Sequence, residues 1–302
     1  MLKFTPLMFL LLSAQFSFAE ANFDEIENAC RKNTSNTSLE AICIEKQVAP
    51  SRSELCNRSS YSNAAEKVCL NLASDVDDSV IKGCNEGTST NNLQIFCLEN
   101  LVDAKKAKAC KKHASNSTNE LICLKNSEEL SIEKIESCRK NTTSVLIESV
   151  CYENQADIEI TKACKKFSTN TVVELVCIKN FNVLTSEIIE GCRKNTTNSG
   201  NEIVCLQKLV SPEIAYQCRS NTSSALIEKT CLENHSDLTA EIIKGCKENT
   251  GNRYLESVCI LNKVSAEKSK FCGEETSNYR EEEACLRTSV EIGNLDESLG
   301  KQ

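Results

Sequence analysis

Twenty cysteines carry the clearest chemistry in this chain. They stand at Cys30, Cys43, Cys56, Cys69, Cys84, Cys97, Cys110, Cys123, Cys138, Cys151, Cys164, Cys177, Cys192, Cys205, Cys218, Cys231, Cys246, Cys259, Cys272 and Cys285, with spacings of 13, 13, 13 and 15 that recur without exception. Thiols in such number either pair with one another or ligate metal. Zinc sites need C-x-x-C or Cys/His clusters, and this chain has no C-x-x-C and only two histidines, so the spacing points to disulfides. Joining Cys30 to Cys43, Cys56 to Cys69 and onward makes identical C-x12-C clips and leaves the variable spacing outside them. The shifted scheme, Cys43 to Cys56 and Cys69 to Cys84, alternates two loop sizes and strands Cys30 and Cys285. We favour the first scheme, although sequence alone does not fix connectivity.

Acidic and basic residues recur in register with the cysteines. Three residues before the second cysteine of each block stands Glu40, Glu66, Glu120, Glu148, Glu174, Glu202, Glu228, Glu256 or Glu282, with Gln94 in the remaining block. Such a ladder can bind cations or a basic partner. The plainer expectation is that each carboxylate supports its own helix or pairs within its own block, as exposed ion pairs do. A basic residue follows the first cysteine in seven blocks: Arg31, Lys111, Arg139, Lys165, Arg193, Arg219 and Lys247. Cations there oppose a helix dipole, and as a stripe they can also meet an acidic protein, anionic glycan or surface polymer. The densest group, Lys105, Lys106, Lys108, Lys111 and Lys112, is the candidate binding cluster.

Catalytic constellations are missing from the sequence. His113 and His235 fall in expected loops, far apart in the array, and neither has a serine, cysteine or aspartate at a triad-like spacing. No phosphate-binding loop, dinucleotide fingerprint or HExxH occurs, so the reading is a non-enzyme with no cofactor and no metal site. A net charge of −8 argues against nucleic-acid binding. Eight Asn-x-Ser/Thr sequons, at Asn33, Asn36, Asn57, Asn116, Asn141, Asn195, Asn221 and Asn234, are glycan acceptors in some hosts and otherwise polar turns.

These residues must be held by short helices. Apolar residues at −4, −1, 0 and often +1 around each second cysteine make a helical stripe, and the asparagine three residues on suits a left-handed helix end. Apolar pairs such as Ile188-Ile189 and Ile242-Ile243 precede the first cysteine, and a polar turn rich in Ser, Thr and Asn follows it, offering an N-cap. Each block therefore reads as a hairpin of two helices of about 8–10 residues, too short to be stable alone. Cys30, Cys84, Cys138, Cys192 and Cys246 are spaced 54 apart, so residues 20–288 hold five tandem 54-residue units, or ten clipped αα-hairpins. The expected fold is all-α: a right-handed tandem-hairpin solenoid stapled by disulfides. This architecture resembles the disulfide-clipped relatives of tetratricopeptide repeats in secreted bacterial proteins. The hairpins here are shorter than the roughly 34 residues of those repeats and lack their glycine/alanine pattern, so no residue or activity is carried over.

Residues 1–19 read as a Sec-type signal peptide. Lys3 is followed by Leu7-Met8-Phe9-Leu10-Leu11-Leu12, and Ser17-Phe18-Ala19 sets cleavage before Glu20, taking the net charge from −8 to −9. No cysteine follows that site directly, which argues against a lipoprotein anchor, and no later stretch approaches a membrane span. Residues 289–302 form a polar tail. The expectation is a secreted or periplasmic binding scaffold for a protein or anionic glycan, with an effector or inhibitor, or an envelope component, as alternatives. Lys105–Lys112, Phe167 and Tyr152 depart from the repeat pattern and are the places to look for a site.

Overall fold

The computed structural model describes residues 23–288 apart from 73 and 75; the expected signal segment and the tail at 289–302 lie outside the described residues. The described chain holds twenty α-helices and no strand. It divides into two compact units, Met1–Arg139 and Lys140–Gln302.

In the first unit the helices are α1 (23–33), α2 (Thr37–Glu45), α3 (Pro50–Arg58), α4 (Asn63–Leu70), α5 (Asp78–Glu86), α6 (Asn91–Glu99), α7 (Ala104–His113), α8 (Ser117–Lys125) and α9 (Ile132–Lys140), the last reaching the division. In the second they are α10 (Val145–Asn154), α11 (Ile158–Phe167), α12 (Thr171–Lys179), α13 (Ser186–Lys194), α14 (Ser199–Lys208), α15 (Pro212–Ser220), α16 (Ala225–Glu233), α17 (Ala240–Asn249), α18 (Arg253–Leu261), α19 (Ala266–Glu275) and α20 (Tyr279–Arg287).

Odd-numbered helices carry the first cysteine of each clip and even-numbered helices the second. Within the first unit α3 packs on α5 and α5 on α7, while α2 packs on α4, α4 on α6 and α6 on α8. The second unit repeats the rule from α10 through α20. Each unit is therefore a two-layer stack of αα-hairpins, the packing of a helical repeat solenoid.

Nine clips pair as the spacing favours, from Cys30–Cys43 to Cys272–Cys285, each across a separation of 13 residues. Cys138 and Cys151 are also disulfide-bonded, and no described cysteine is free. Nearly every one of these sulfurs is fully buried between the two layers. Around them the seam is filled by the residue after the second cysteine, Leu70, Leu98, Leu124, Tyr152, Ile178, Leu206, Leu232 and Ile260 among them. Tyr152, which breaks the aliphatic pattern, is thus a core residue.

The polar turns cap the helices as their composition suggests. Asn36, Ser62, Thr90, Asn116, Ser144, Asn170, Asn198, Ser224, Asn252 and Asn278 each accept a backbone N–H from the first turn of an even helix. At the other end of these helices the expectation needs correcting. Asn100, Asn180 and Asn262 are not left-handed; they fold back to donate Nδ2–H to the carbonyl four residues earlier. The left-handed residue is the next in some linkers: Leu101 (φ 49°) and Lys263 (φ 50°) follow asparagines, and Gln47, Gln155 and Leu209 hold the same place. A buried apolar residue then follows, Val48, Val102, Ala156, Val210 or Val264, whose N–H returns to the second-cysteine carbonyl. This is a Schellman-type ending, and it occurs wherever the spacing is 13. Where the spacing is 15 the chain takes a longer path and buries Leu130, Leu184 or Leu238 instead.

The alternation explains a 54-residue period. Odd helices after a long linker bury Ile81, Ile135, Ile189 or Ile243 three residues before the cysteine; those after a short linker place Ser53, Ala107, Thr161, Ala215 or Ser269 there. Close approach is built in at the next contact. A Cβ at Gly83 would lie 2.2 Å from Ala104 Cβ, and one at Gly245 would lie 2.7 Å from Ala266 Cα. Glycine packing, absent as a tetratricopeptide signature, is present in this fold's own register.

Candidate functional site

The recurrent glutamates are neither exposed nor paired within their hairpins as a rule. From Glu66 to Glu282 they are buried, and each described bond runs to the turn of the hairpin before. Ser35 donates its N–H to Glu66 Oε1 at 3.2 Å and its hydroxyl to Oε2 at 2.7 Å. Ser89 does the same to Glu120 at 2.8 and 2.5 Å. Thr143, Thr197, Ser223 and Gly251 give their N–H groups to Glu174, Glu228, Glu256 and Glu282 at 2.9–3.2 Å. Gln94 keeps the arrangement without a charge: its Oε1 accepts from Tyr61 N at 2.8 Å and its Nε2 donates to the Ser59 carbonyl. Partners are 31 residues apart across a short linker and 33 across a long one. The carboxylates are therefore clasps between repeats. Glu40, in the first hairpin, shows the expected in-hairpin pair, with Arg31 Nε at 3.2 Å.

Burial shifts the titration of one of these groups. Glu202 is pushed above the usual carboxylate range by burial, opposed by hydrogen bonding from Thr169 and by the Arg193 charge. Its Oε2 has no hydrogen-bond partner.

The basic residues after the first cysteine also act between repeats. Lys111 Nζ donates to the Glu86 carbonyl at 2.9 Å, and Lys247 Nζ to the Ser220 carbonyl at 3.0 Å. Lys165 and Arg219 reach the carbonyls of Lys140 and Lys194. Each satisfies the open C-terminal end of the preceding odd helix, rather than its own. Of the candidate lysines, Lys106 caps the carbonyls of Ser127 and Glu128, Lys108 pairs with Glu86 at 2.5 Å, and Lys111 is committed as above; Lys105 and Lys112 are exposed. Lys166 stacks over the Phe167 ring at 4.5 Å.

His235 lies in a loop, as expected, whereas His113 does not. His113 is the last residue of α7, and His235 Nδ1 lies 3.2 Å from the Leu232 carbonyl just beyond α16. Among the described residues no three His, Cys, Asp or Glu side chains converge on a metal-sized site. Sequons are explained by the same turns: Asn33 Nδ2 donates to Ser53 Oγ at 3.1 Å, Asn195 Nδ2 to the Pro212 carbonyl at 3.0 Å, and Asn36 and Asn116 are N-caps. The hydroxyl residues of the Asn33, Asn141, Asn195 and Asn221 sequons, Ser35, Thr143, Thr197 and Ser223, are clasp residues.

The feature that sequence reading missed is on the even-helix layer of the second unit. The second residue of α10, α12, α16 and α18 is Leu146, Val172, Leu226 and Tyr254, with 62%, 57%, 74% and 52% of its surface exposed. Stacked even helices bring one helical position into a row. In α14 that place is Gly200, and a groove of about 610 Å³ opens between α14 and α16, lined by Ile203, Val204, Leu226, Lys229 and Glu233. The first unit fills the same position with Ser38, Ala64, Asn92 and Thr118. The signal lies in the sequence itself: the position five residues before the second cysteine carries a large apolar residue in four repeats of the second unit. No family model, no curated protein and no solved structure matches this chain. No described helix is long and apolar enough to cross a membrane, and a full set of disulfides fits an oxidising compartment.

Proposed function

We propose that the chain is exported by its N-terminal signal segment and works outside the cytoplasm as a non-catalytic, protein-binding scaffold. The observation that carries this reading is the row of Leu146, Val172, Leu226 and Tyr254. Exposed large apolar side chains aligned beside a groove are what interfaces use as anchors, and the homologous positions of the first unit show that the fold itself does not need them. Polar groups of the turns and helix ends are largely consumed by the clasps and caps, so the array offers a surface rather than a reaction centre. Anionic glycan is the less supported ligand, because three of the five clustered lysines are spent on neighbouring repeats.

The test is site-directed photo-crosslinking in the native extracellular milieu. A photoreactive residue at position 226 is expected to trap one protein partner that the same residue at position 38 does not trap. Leu226→Asp with Val172→Asp is expected to abolish the adduct while leaving the helical content intact. Equal labelling from both positions sinks the assignment.

A further inference from the structure

The clasp has two halves, a donor turn and a carboxylate from the next hairpin, and each end of the array leaves one half without its counterpart. The cysteine period stops inside the sequence: thirteen and fifteen residues beyond Cys285 stand Ser298 and Gly300, and the same distances before Cys30 stand Ser17 and Gln15. Among the described residues Glu40 has no earlier turn to hold. Its Oε1 instead takes Arg31 Nε at 3.2 Å, and Arg31 is fixed from its other side by Glu27 at 2.5 Å. At the far end no later carboxylate among the described residues takes Ser277. Its N–H and hydroxyl go to Glu281 Oε2 of the helix it precedes, at 3.0 and 2.8 Å. Those are the two donors that Ser35 and Ser89 give to the following hairpin.

The identity of Glu281 is the second observation. Counted back four from the second cysteine, its position holds Leu39, Ala65, Leu93, Ile147, Val173, Ile227 or Leu255 in seven other repeats and the neutral Asn119 or Asn201 in two, all buried. The last repeat has replaced a seam residue with an exposed carboxylate that closes its own turn. The Ser277 hydroxyl and N–H hold that carboxyl below the usual range.

We propose that Arg31 and Glu281 are terminators, which occupy the two complementary half-clasps and keep a second copy of this chain from stacking head to tail. A solenoid end is a heterologous surface, and an unblocked pair of such ends adds copies without closing.

The test uses Arg31→Ala, which frees Glu40, and Glu281→Leu, which frees Ser277 and restores the seam residue. Light scattering on the full mature chain at tens of micromolar is expected to give a one-chain mass for wild type and for each variant alone. An equal mixture of the two variants is expected to give a two-chain species, and a chain carrying both changes a mass that grows with concentration. Adding Glu40→Ala to the Arg31→Ala chain is expected to abolish the two-chain species. Both sites are exposed, and Glu281→Gln supplies a milder opening should the leucine variant fold poorly. A mixture that stays at one-chain mass with either Glu281 variant overturns the proposal, as does association of wild type or of single variants to the same extent.

Discussion

Glu120 reaches back across a repeat boundary to Ser89, taking its backbone N–H at 2.8 Å and its hydroxyl at 2.5 Å. The contact joins the turn before α6 to the first turn of α8, so a residue of one hairpin completes the turn of another. A buried carboxylate is costly unless its oxygens are satisfied, and this turn satisfies both oxygens of Glu120. The same relation transmits stability along each unit, because a hairpin whose successor is lost exposes its own turn donors.

Glu120→Ala leaves a buried N–H and hydroxyl unpaired and is expected to lower stability by about 2–4 kcal/mol. Glu120→Gln is expected to lose less than half of that, since Gln94 fills the same place with an amide. Chemical denaturation of the two variants under oxidising conditions measures the difference. Equal losses would mean that packing, and not the hydrogen bonds to Ser89, sets the cost.

Glu202 gives the array a local dependence on pH. Its folded-state pKa is raised by burial, so the folded chain holds the proton more tightly than the unfolded one. The group therefore favours folding at mildly acid pH, and that contribution is lost as pH rises from the ordinary glutamate value of about 4.3 through the raised one. Glu202→Gln is expected to raise the melting temperature relative to wild type at pH 7–8, with the advantage shrinking toward acid. An advantage that is constant with pH, or that grows toward acid, would refute the assignment to Glu202.

The layout of this fold was largely legible in the cysteines. A fixed spacing marks out the hairpins and the helix lengths and favours one clip pairing, because a disulfide between adjacent short helices admits few geometries. The N-caps were legible for a similar reason: Ser, Thr and Asn in a turn act locally. What sequence reading misplaced are the groups that act between repeats. Glu66 and Lys111 look like surface charges by spacing within one hairpin, and their partners lie 31 and 25 residues away in a neighbour. Leu226 was passed over because an apolar residue at a helix start reads as core until its exposure is known. The left-handed place was set one residue early because Asn100 uses its side chain, and Leu101 its backbone, to end the same helix.

Disulfides substitute here for a large aromatic core. Each closes a loop of about fifteen residues, for which chain-entropy arguments give about 3 kcal/mol. Replacing Cys84 and Cys97 together by alanine is expected to lower stability by roughly that amount and to leave the other repeats folded. Full reduction is expected to collapse the far-ultraviolet helical signal, since isolated helices of this length are marginal. Circular dichroism before and after reductant decides it. Retained helicity after full reduction would show that stacking alone suffices.

Gly83 distinguishes stacking from helix propensity. At an ordinary exposed helix position Gly→Ala gains up to about 1 kcal/mol. In α5 the added Cβ would meet Ala104 Cβ at 2.2 Å and Cα at 2.5 Å, at the first residue of α7. Backbone atoms there cannot rotate aside, so the two odd helices must separate. Gly83→Ala is therefore expected to destabilise by about 1–3 kcal/mol despite the propensity gain. Ala104→Gly removes the nearer contact and is expected to recover part of the loss, which thermal unfolding of the double variant measures. A stabilised Gly83→Ala chain would mean that the odd helices are not packed at the distance described, and with it the short-linker contact that sets the 54-residue period would fall.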